Sequence, residues 1–469
     1  MDRVRAMFPR LRLQGRNDML VLLAVVVTAA ASGIALGFHQ TNLVLIAFAA
    51  VAGALLFVIT VKRPAIGAAL ILFLAPLEGS VSIGGNSAVK LISLFCMLVF
   101  AVRVLDPANK ILLDRGSALA ICFVLWAFVT LAWSPDPRSS ISDWVSIALQ
   151  SVLYVLLVNF VLSGRDLKLA LWGHVLGGTI LAIGFTQRLI ALDFLRNVDI
   201  MGFGINLGTR LIGLNVVLAV ILYQLETNRL ARFVLILAAG ISSIGAVIGL
   251  SRGTWVGVAA SLGALGAVYY YKGKMRPRWG QIIKWSMAVM LLVFILSSFV
   301  LDAHGIQKMT TRFIEGFTFS DAGGGRFEIW SVARDIFVTS PIWGHGVGAF
   351  HDEFMINVEK SGLSNYFHVN EAKGAHNAFV LTGVELGLVG IGLLVALLAY
   401  VFRKVWKLTR LNPPNLPTLS SVWALTTFLV LSMLVDSAVD RKYLWYGLAL
   451  VTLLIRYPST RGLTASQGE

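Results

Sequence analysis

From residue 19 to residue 456 the chain alternates apolar runs of about twenty residues with polar turns. A helix rises about 1.5 Å per residue, so such a run matches the roughly 30 Å hydrocarbon core of a bilayer. Inside that core a segment must satisfy its own backbone hydrogen bonds, and runs of Leu, Val, Ala, Ile and Phe at this length do so as helices, not as barrel strands. Candidate spans fall near 19–38, 42–61, 64–83, 88–105, 117–134, 144–162, 168–190, 209–225, 231–250, 254–271, 281–302, 375–402, 418–435 and 441–456. The expected architecture is all-α: a polytopic integral membrane protein with 12 to 14 transmembrane helices. The closely linked early runs also fit broken or re-entrant helices, which makes twelve as defensible as fourteen. With 57% hydrophobic and 13% charged residues, the chain carries more apolar surface than a soluble domain buries.

The net charge of +15 would suggest nucleic acid in a soluble chain, but here it reads as Lys/Arg anchoring on the cytoplasmic side, with no nucleic-acid partner. Residues 1–18 hold five arginines and precede an apolar run containing Ala29-Ala30-Ala31. That run continues to Phe38, so it reads as an uncleaved first span and not as a signal peptide. With the N-terminus in the cytoplasm, each inside turn carries at least two positive charges, from Lys62/Arg63 through Arg403/Lys404/Lys407/Arg410 to Arg456/Arg461. Both termini are then cytoplasmic, and the long polar stretch from about 302 to 376 lies outside. The expected division is 1–302 (transmembrane helices with short loops), 303–374 (a large external loop) and 375–469 (transmembrane helices and a short tail).

The external loop contains five of the seven histidines, the segment Asp321-Ala-Gly-Gly-Gly-Arg326 and the segment Pro341-Ile-Trp-Gly-His-Gly-Val-Gly348. A loop this long is usually functional or disordered, and its Trp, Phe and Tyr content argues against disorder. Cys96 and Cys122 both lie in apolar runs, and the histidines lack metal-ligand spacing, so neither a disulfide framework nor a metal or cofactor site is expected.

On the external side the arginines stand out, because the positive-inside bias selects against them there. Arg138, Arg188, Arg196, Arg210, Arg252, Arg312, Arg326, Arg334 and Arg441 all map to that face. Each one singly fits pairing with Asp136, Asp193, Asp321, Asp335 or Asp440; as a group they point to an anionic ligand, for which Arg is the preferred bidentate binder. Arg252, in Gly249-Leu-Ser-Arg-Gly-Thr-Trp255, sits at the membrane boundary as a functional candidate or as a snorkelling residue. Arg326 follows three glycines and opens a predicted amphipathic helix over 326–338, with Phe327, Trp330, Ala333 and Phe337 on one stripe. Such a helix start suits an anion and equally suits a hinge. His376-Asn377 opens the run after the loop, at a water boundary where imidazole exchanges protons near neutrality or simply caps the helix. Glu385, on the opposite face from His376, reads as a buried structural contact.

Ser251-Arg252-Gly253, Gly325-Arg326-x-x-Ile329-Trp330, Pro341-Ile-x-Gly344-x-Gly346-x-Gly348 and His376-Asn377-x-Phe379 with Glu385-x-Gly387 and Gly390 occur in that order around one external loop. In this the chain resembles the superfamily of O-antigen ligases and O-antigen polymerases over about 245–400, most closely a lipopolysaccharide O-antigen ligase. The resemblance implies a membrane glycosyltransferase of the bacterial inner membrane with a periplasmic active site and about twelve helices. It implies metal-independent, inverting transfer of O-antigen from undecaprenyl pyrophosphate to a sugar hydroxyl of lipid A–core. His376 would be the general base, Arg252 and Arg326 would hold the pyrophosphate, and Arg210, Arg138, Arg312 and Asn377 would bind substrate. Polymerases and protein O-oligosaccharyltransferases of the same superfamily are the alternatives. A transporter of lipid-linked sugars would need charges spread through the spans, whereas here they gather at one face.

Overall fold

The computed structural model describes residues 41–80, 82–83, 86–192, 199–272, 307, 310–311, 325–360, 374–411 and 415–458. Each predicted apolar run within these residues is helical over most of its length: α1 (Thr41–Lys62), α2 (Pro64–Leu74), α3 (Ala88–Val104), α4 (Arg115–Thr130), α5 (Pro137–Phe160), α6 (Gly164–Ala191), α7 (Ile205–Leu225), α8 (Arg229–Ile248), α9 (Arg252–Lys272), α12 (Ala378–Thr409), α13 (Leu416–Val435) and α14 (Lys442–Arg456). Between α9 and α12 lie two shorter helices, α10 (Arg326–Thr339) and α11 (Phe350–Lys360). A two-residue antiparallel ribbon, Ser82–Ile83 against Asn86–Ser87, links the α2 segment to α3.

Among the described residues seven helices are long and apolar enough to cross a membrane: α4 with its terminal turn, α5, α6, α7, α8, α12 and α13. The predicted runs 42–61 and 64–83 form a pair bent by 117°, which adds an eighth if it counts as one span. Pro64 enforces the bend, because it lacks an N–H and its ring blocks continuation of α1. The runs 19–38 and 281–302 lie outside the described residues. The chain is thus a multi-pass membrane protein.

Polar contacts fix the helix order. At one end Asp114 caps α4 and accepts from Lys404 (3.1 Å) and Tyr400 (2.9 Å) on the far part of α12. At the other end the indole Nε1 of Trp126 on α4 reaches the Leu386 carbonyl of α12 (2.9 Å), so the two helices run antiparallel. In the bundle interior, His174 lies 2.9 Å from the Tyr446 hydroxyl and 3.3 Å from the Asn215 amide, which also meets Ser242. These contacts join α6, α7, α8 and α14 by polar groups that lipid could not satisfy. Around them runs one continuous apolar core from α2 to α14.

The Pro341–Gly348 segment has a structural task. Gly387 has φ 65° and ψ −165°, which breaks α12 within its apolar run. A break there strips carbonyls and N–H groups of their helical partners inside an apolar run, so others must be supplied. His345 and Gly346 donate to the carbonyls of Val384 and Glu385 (both 2.9 Å). Leu388 donates to Pro341 (2.8 Å) and Val389 to Ile342 (3.4 Å). Trp126 takes the remaining Leu386 carbonyl. The strap fits only because Gly344 and Gly387 lack side chains: a Cβ on either would lie 2.2–2.3 Å from a backbone oxygen of the other strand.

Candidate functional site

The starts of α7, α9, α10 and α12 and the ends of α8 and α13 come together here, and the sequence explains how they are held. The turn Gly249-Leu250-Ser251-Arg252 lies against the start of α7: a Cβ on Gly249 would meet the Thr209 hydroxyl at 2.4 Å, and one on Gly253 would sit 3.7 Å from the Arg210 guanidinium. Trp255 anchors the same turn by donating to the Ala246 carbonyl (2.9 Å). Arg252 is therefore carried beside Arg210, which comes from a different helix.

Arg210 is buried at 3% exposure. It contacts the Asp436 carboxylate (2.5 Å) and the Val435 carbonyl (3.5 Å) at the end of α13. Asp436 also accepts from the Tyr443 hydroxyl (2.8 Å). Asn377 donates to the adjacent carbonyl of Leu434 (3.3 Å), while its own side-chain oxygen caps α12 through the Phe379 and Val380 N–H groups. The last turn of α13 thus receives Arg210 from α7 and Asn377 from α12 on consecutive residues.

Arg326 arrives from the external segment. The predicted helix over 326–338 is present as Arg326–Thr339. Its buried stripe differs from the expected one: Ile329, Val332, Ala333 and Ile336 face inward, Trp330 and Phe337 are half-buried, and Phe327 is 65% exposed. The inward face is decided by contact with α11 and α12, which the local pattern of aromatics does not encode. Trp330, one turn beyond Arg326, donates to the Ala375 carbonyl (3.0 Å) and so ties α10 to the residue before His376. Burial lowers the basicity of the half-buried Arg326 guanidinium, and the positive charges of Arg210 and Arg252 lower it further, against the pull of Asp436. Three guanidiniums, from α7, α9 and α10, therefore share one electrostatic neighbourhood. Burial opposes ionisation of Asp436, yet Arg210 and Arg441 hold its carboxyl below the ordinary range.

Each of the three predicted catalytic residues lies at or beside a left-handed backbone residue: Leu250 (φ 52°) two positions before Arg252, Gly325 (φ 76°) before Arg326, and His376 itself (φ 48°). A non-glycine residue in this region is strained, and such strain gathers where the surrounding structure over-determines a functional geometry.

The other predicted residues fare differently. Arg138 is exposed in the first turn of α5, within the segment that packs on Gly346 and Gly348. Arg312 lies outside the described residues. Arg334 pairs with Asp335 at the surface (2.9 Å) and Arg441 lies 3.4 Å from Asp440, two of the pairings the sequence suggested. Arg210 pairs instead with Asp436, a carboxylate the sequence reading passed over. Glu385 is buried at the α12 break, where it accepts from the Phe350 N–H (3.4 Å), in keeping with a structural contact. Beside the cluster opens a cavity of about 930 Å³, bordered by Ala375, Glu385, Asp143 and Arg441.

Residues 233–395, about a third of the chain, match a family model described as O-antigen ligase. The matched segment contains Arg252, Arg326, the Pro341–Gly348 strap and His376, whereas Arg210 and Asp436 lie outside it. No curated protein matches the chain.

Proposed function

We propose that this chain, which carries the O-antigen ligase family domain at residues 233–395, transfers O-antigen from undecaprenyl pyrophosphate to a sugar hydroxyl of lipid A–core at the periplasmic face of the inner membrane. The observation that carries the reading is the convergence of Arg210, Arg252 and Arg326, from separate helices, at one end of the bundle, with Trp330 of the Arg326 helix tied to Ala375, the residue before His376. Asp436 offsets one of these charges, and the excess of guanidinium groups at the membrane boundary suits a diphosphate.

These positions suit an inverting displacement. The acceptor oxygen attacks the anomeric carbon of the donor sugar from the face opposite the carrier. The bond from that carbon to the phosphate oxygen breaks, and configuration inverts. Arg326 and Arg252 stabilise the negative charge that builds on the departing diphosphate. His376 takes the proton from the acceptor hydroxyl. Arg210, neutralised by Asp436, fixes the geometry of the cationic wall, and Asn377 holds the helix start that aims His376. Positive charge for the leaving group comes from guanidinium groups, so the reading requires no metal.

The test is transfer by the purified protein in detergent, given the lipid-linked polysaccharide and lipid A–core. Arg326→Ala and His376→Ala should each lower turnover on the order of 100-fold or more, and chelator should leave wild-type turnover unchanged. Full activity in either variant, or its loss with chelator, overturns the mechanism. A deletion strain separates the ligase from the polymerase reading: long polymer accumulating on the carrier supports the ligase, and single-repeat caps support the polymerase.

A further inference from the structure

The sequence puts the whole of 303–374 in an external loop, yet the Pro341–Gly348 strap inside it is bonded to α12, a helix able to cross the membrane. Contacts across the α12 break show at what height. A Cβ on Gly390 would lie 3.2 Å from the Thr382 methyl, and one on Gly383 would lie 3.2 Å from the terminal methyl of Ile391. Residues eight apart in an unbroken helix are separated by about 12 Å. The start of α12, before Gly387, therefore folds back against the rest. From 388 to 409 the helix is still about 33 Å long, enough to cross the bilayer core unaided. The strap is hydrogen-bonded to Leu388 and Val389, so it sits where that crossing begins.

A second ruler is α4. Its cap Asp114, paired with Lys404, marks the charged opposite edge of the bundle. At about 1.5 Å per residue, Trp126 and Trp133 stand roughly 18 and 28 Å from Asp114, in the far part of a core about 30 Å thick. The Trp133 indole donates to the Gly344 carbonyl (3.2 Å), and the Trp343 ring lies 5.8 Å from that of Trp126. The tip of the strap thus shares its height with two α4 tryptophans. Ile342 and Trp343 are 51% and 56% exposed. The exposed apolar residues that flank their contacts, Leu125 and Val129 of α4 and Leu388 of α12, belong to segments that cross the bilayer.

The backbone agrees. Irregular chain persists at membrane depth only where protein satisfies its polar groups, a demand that a loop in water does not meet. In the strap, the carbonyls of Pro341, Ile342 and Gly344 and the N–H groups of Gly344, His345 and Gly346 all have protein partners. Pro341 has no N–H to satisfy.

We propose that the Ile342–Trp343 tip of the strap is a membrane-docking surface, inserted into the glycerol and upper acyl region of the leaflet on the arginine-cluster side. Trp suits that depth, with an apolar ring and one polar edge. The strap thereby fixes the height of the α12 break against the bilayer, and with it the folded-back segment that begins after His376. The assignment goes beyond the glycosyl-transfer reading and does not depend on it.

Spin labelling of the full-length protein in nanodiscs of phosphatidylcholine and phosphatidylglycerol tests this, because oxygen concentrates in lipid and a nickel chelate stays in water. Native Cys122, exposed on α4 between Asp114 and Trp126, is the reference within the core. Lys110→Cys, exposed in the charged turn before α4, is the aqueous reference. Cys96 is buried and stays in place, and the new cysteines are made in a Cys122→Ser background. The Trp343→Cys label should collide with the nickel chelate several-fold less than the Lys110→Cys label, and with oxygen several-fold more. Its oxygen-to-nickel ratio should fall between those of the two references. Nickel access equal to that of Lys110→Cys puts the strap in water and overturns the proposal. Low access to both reagents means that protein covers the tip, from elsewhere in the chain or from a second copy, and overturns it as well. Should Trp343→Cys fail to fold, Ile342→Cys at the neighbouring exposed position gives the same measurement with the same outcomes.

Discussion

Replacing Gly387 by alanine should uncouple the external strap from the broken α12 helix. Gly387 occupies φ 65° and ψ −165°, a region open almost only to glycine, and an added Cβ would lie 2.2 Å from the Ile342 carbonyl oxygen. The backbone strain alone is about 1–3 kcal/mol. Relieving the clash moves residues 341–346 away and breaks the bonds of His345 to Val384, Gly346 to Glu385 and Leu388 to Pro341, each worth about 0.5–1.5 kcal/mol. The combined cost is on the order of 3–7 kcal/mol, enough to lower the melting temperature of the detergent-solubilised protein by roughly 10 °C. Gly392→Ala is the control, because it lies in the same helix with nothing within 4 Å of its added Cβ. Melting followed by intrinsic fluorescence distinguishes the two. If Gly387→Ala melts with Gly392→Ala, the strap does not hold the break and the reasoning is wrong.

Three further outcomes are expected. Asp436→Asn leaves the buried Arg210 guanidinium without its counter-charge and should destabilise the protein by about 3–5 kcal/mol, read as a lowered melting temperature at pH 7. Because the folded-state pKa of Asp436 is depressed, its contribution is complete above the ordinary carboxylate range and is lost as pH falls through the folded value. The gap between wild type and Asp436→Asn should therefore stay level from about pH 5 to 8 and close below about pH 4; a gap that widens in acid contradicts the assignment. Trp330→Phe removes the bond to Ala375 for about 1 kcal/mol of stability, yet it should lower turnover in the transfer assay several-fold. A loss of stability with unchanged turnover would show that α10 needs no such tie to place Arg326.

The helices were legible in the sequence because hydropathy is a local property. Each of the runs from 42–61 to 441–456 that falls within the described residues carries its apolar side chains in its own sequence and is helical over most of its length. The boundary positions of Arg252, Arg326 and His376 were legible for the same reason, since each opens or adjoins the opening of a helix. What joins them was not. The partner of Arg210 is Asp436, brought over by a contact between α7 and the end of α13; the residues that contact spans are separated by 225 positions in the chain at Val435. The pattern Pro341-Ile-Trp-Gly-His-Gly-Val-Gly348 signalled a special backbone, but only the fold shows that it repairs a helix break forty-odd residues later. The inward face of α10 likewise depends on which surfaces meet. A run of side chains sets its own affinity for lipid. Charge pairing, backbone repair and cavity shape depend on distances between helices, and those exist only once the bundle has closed.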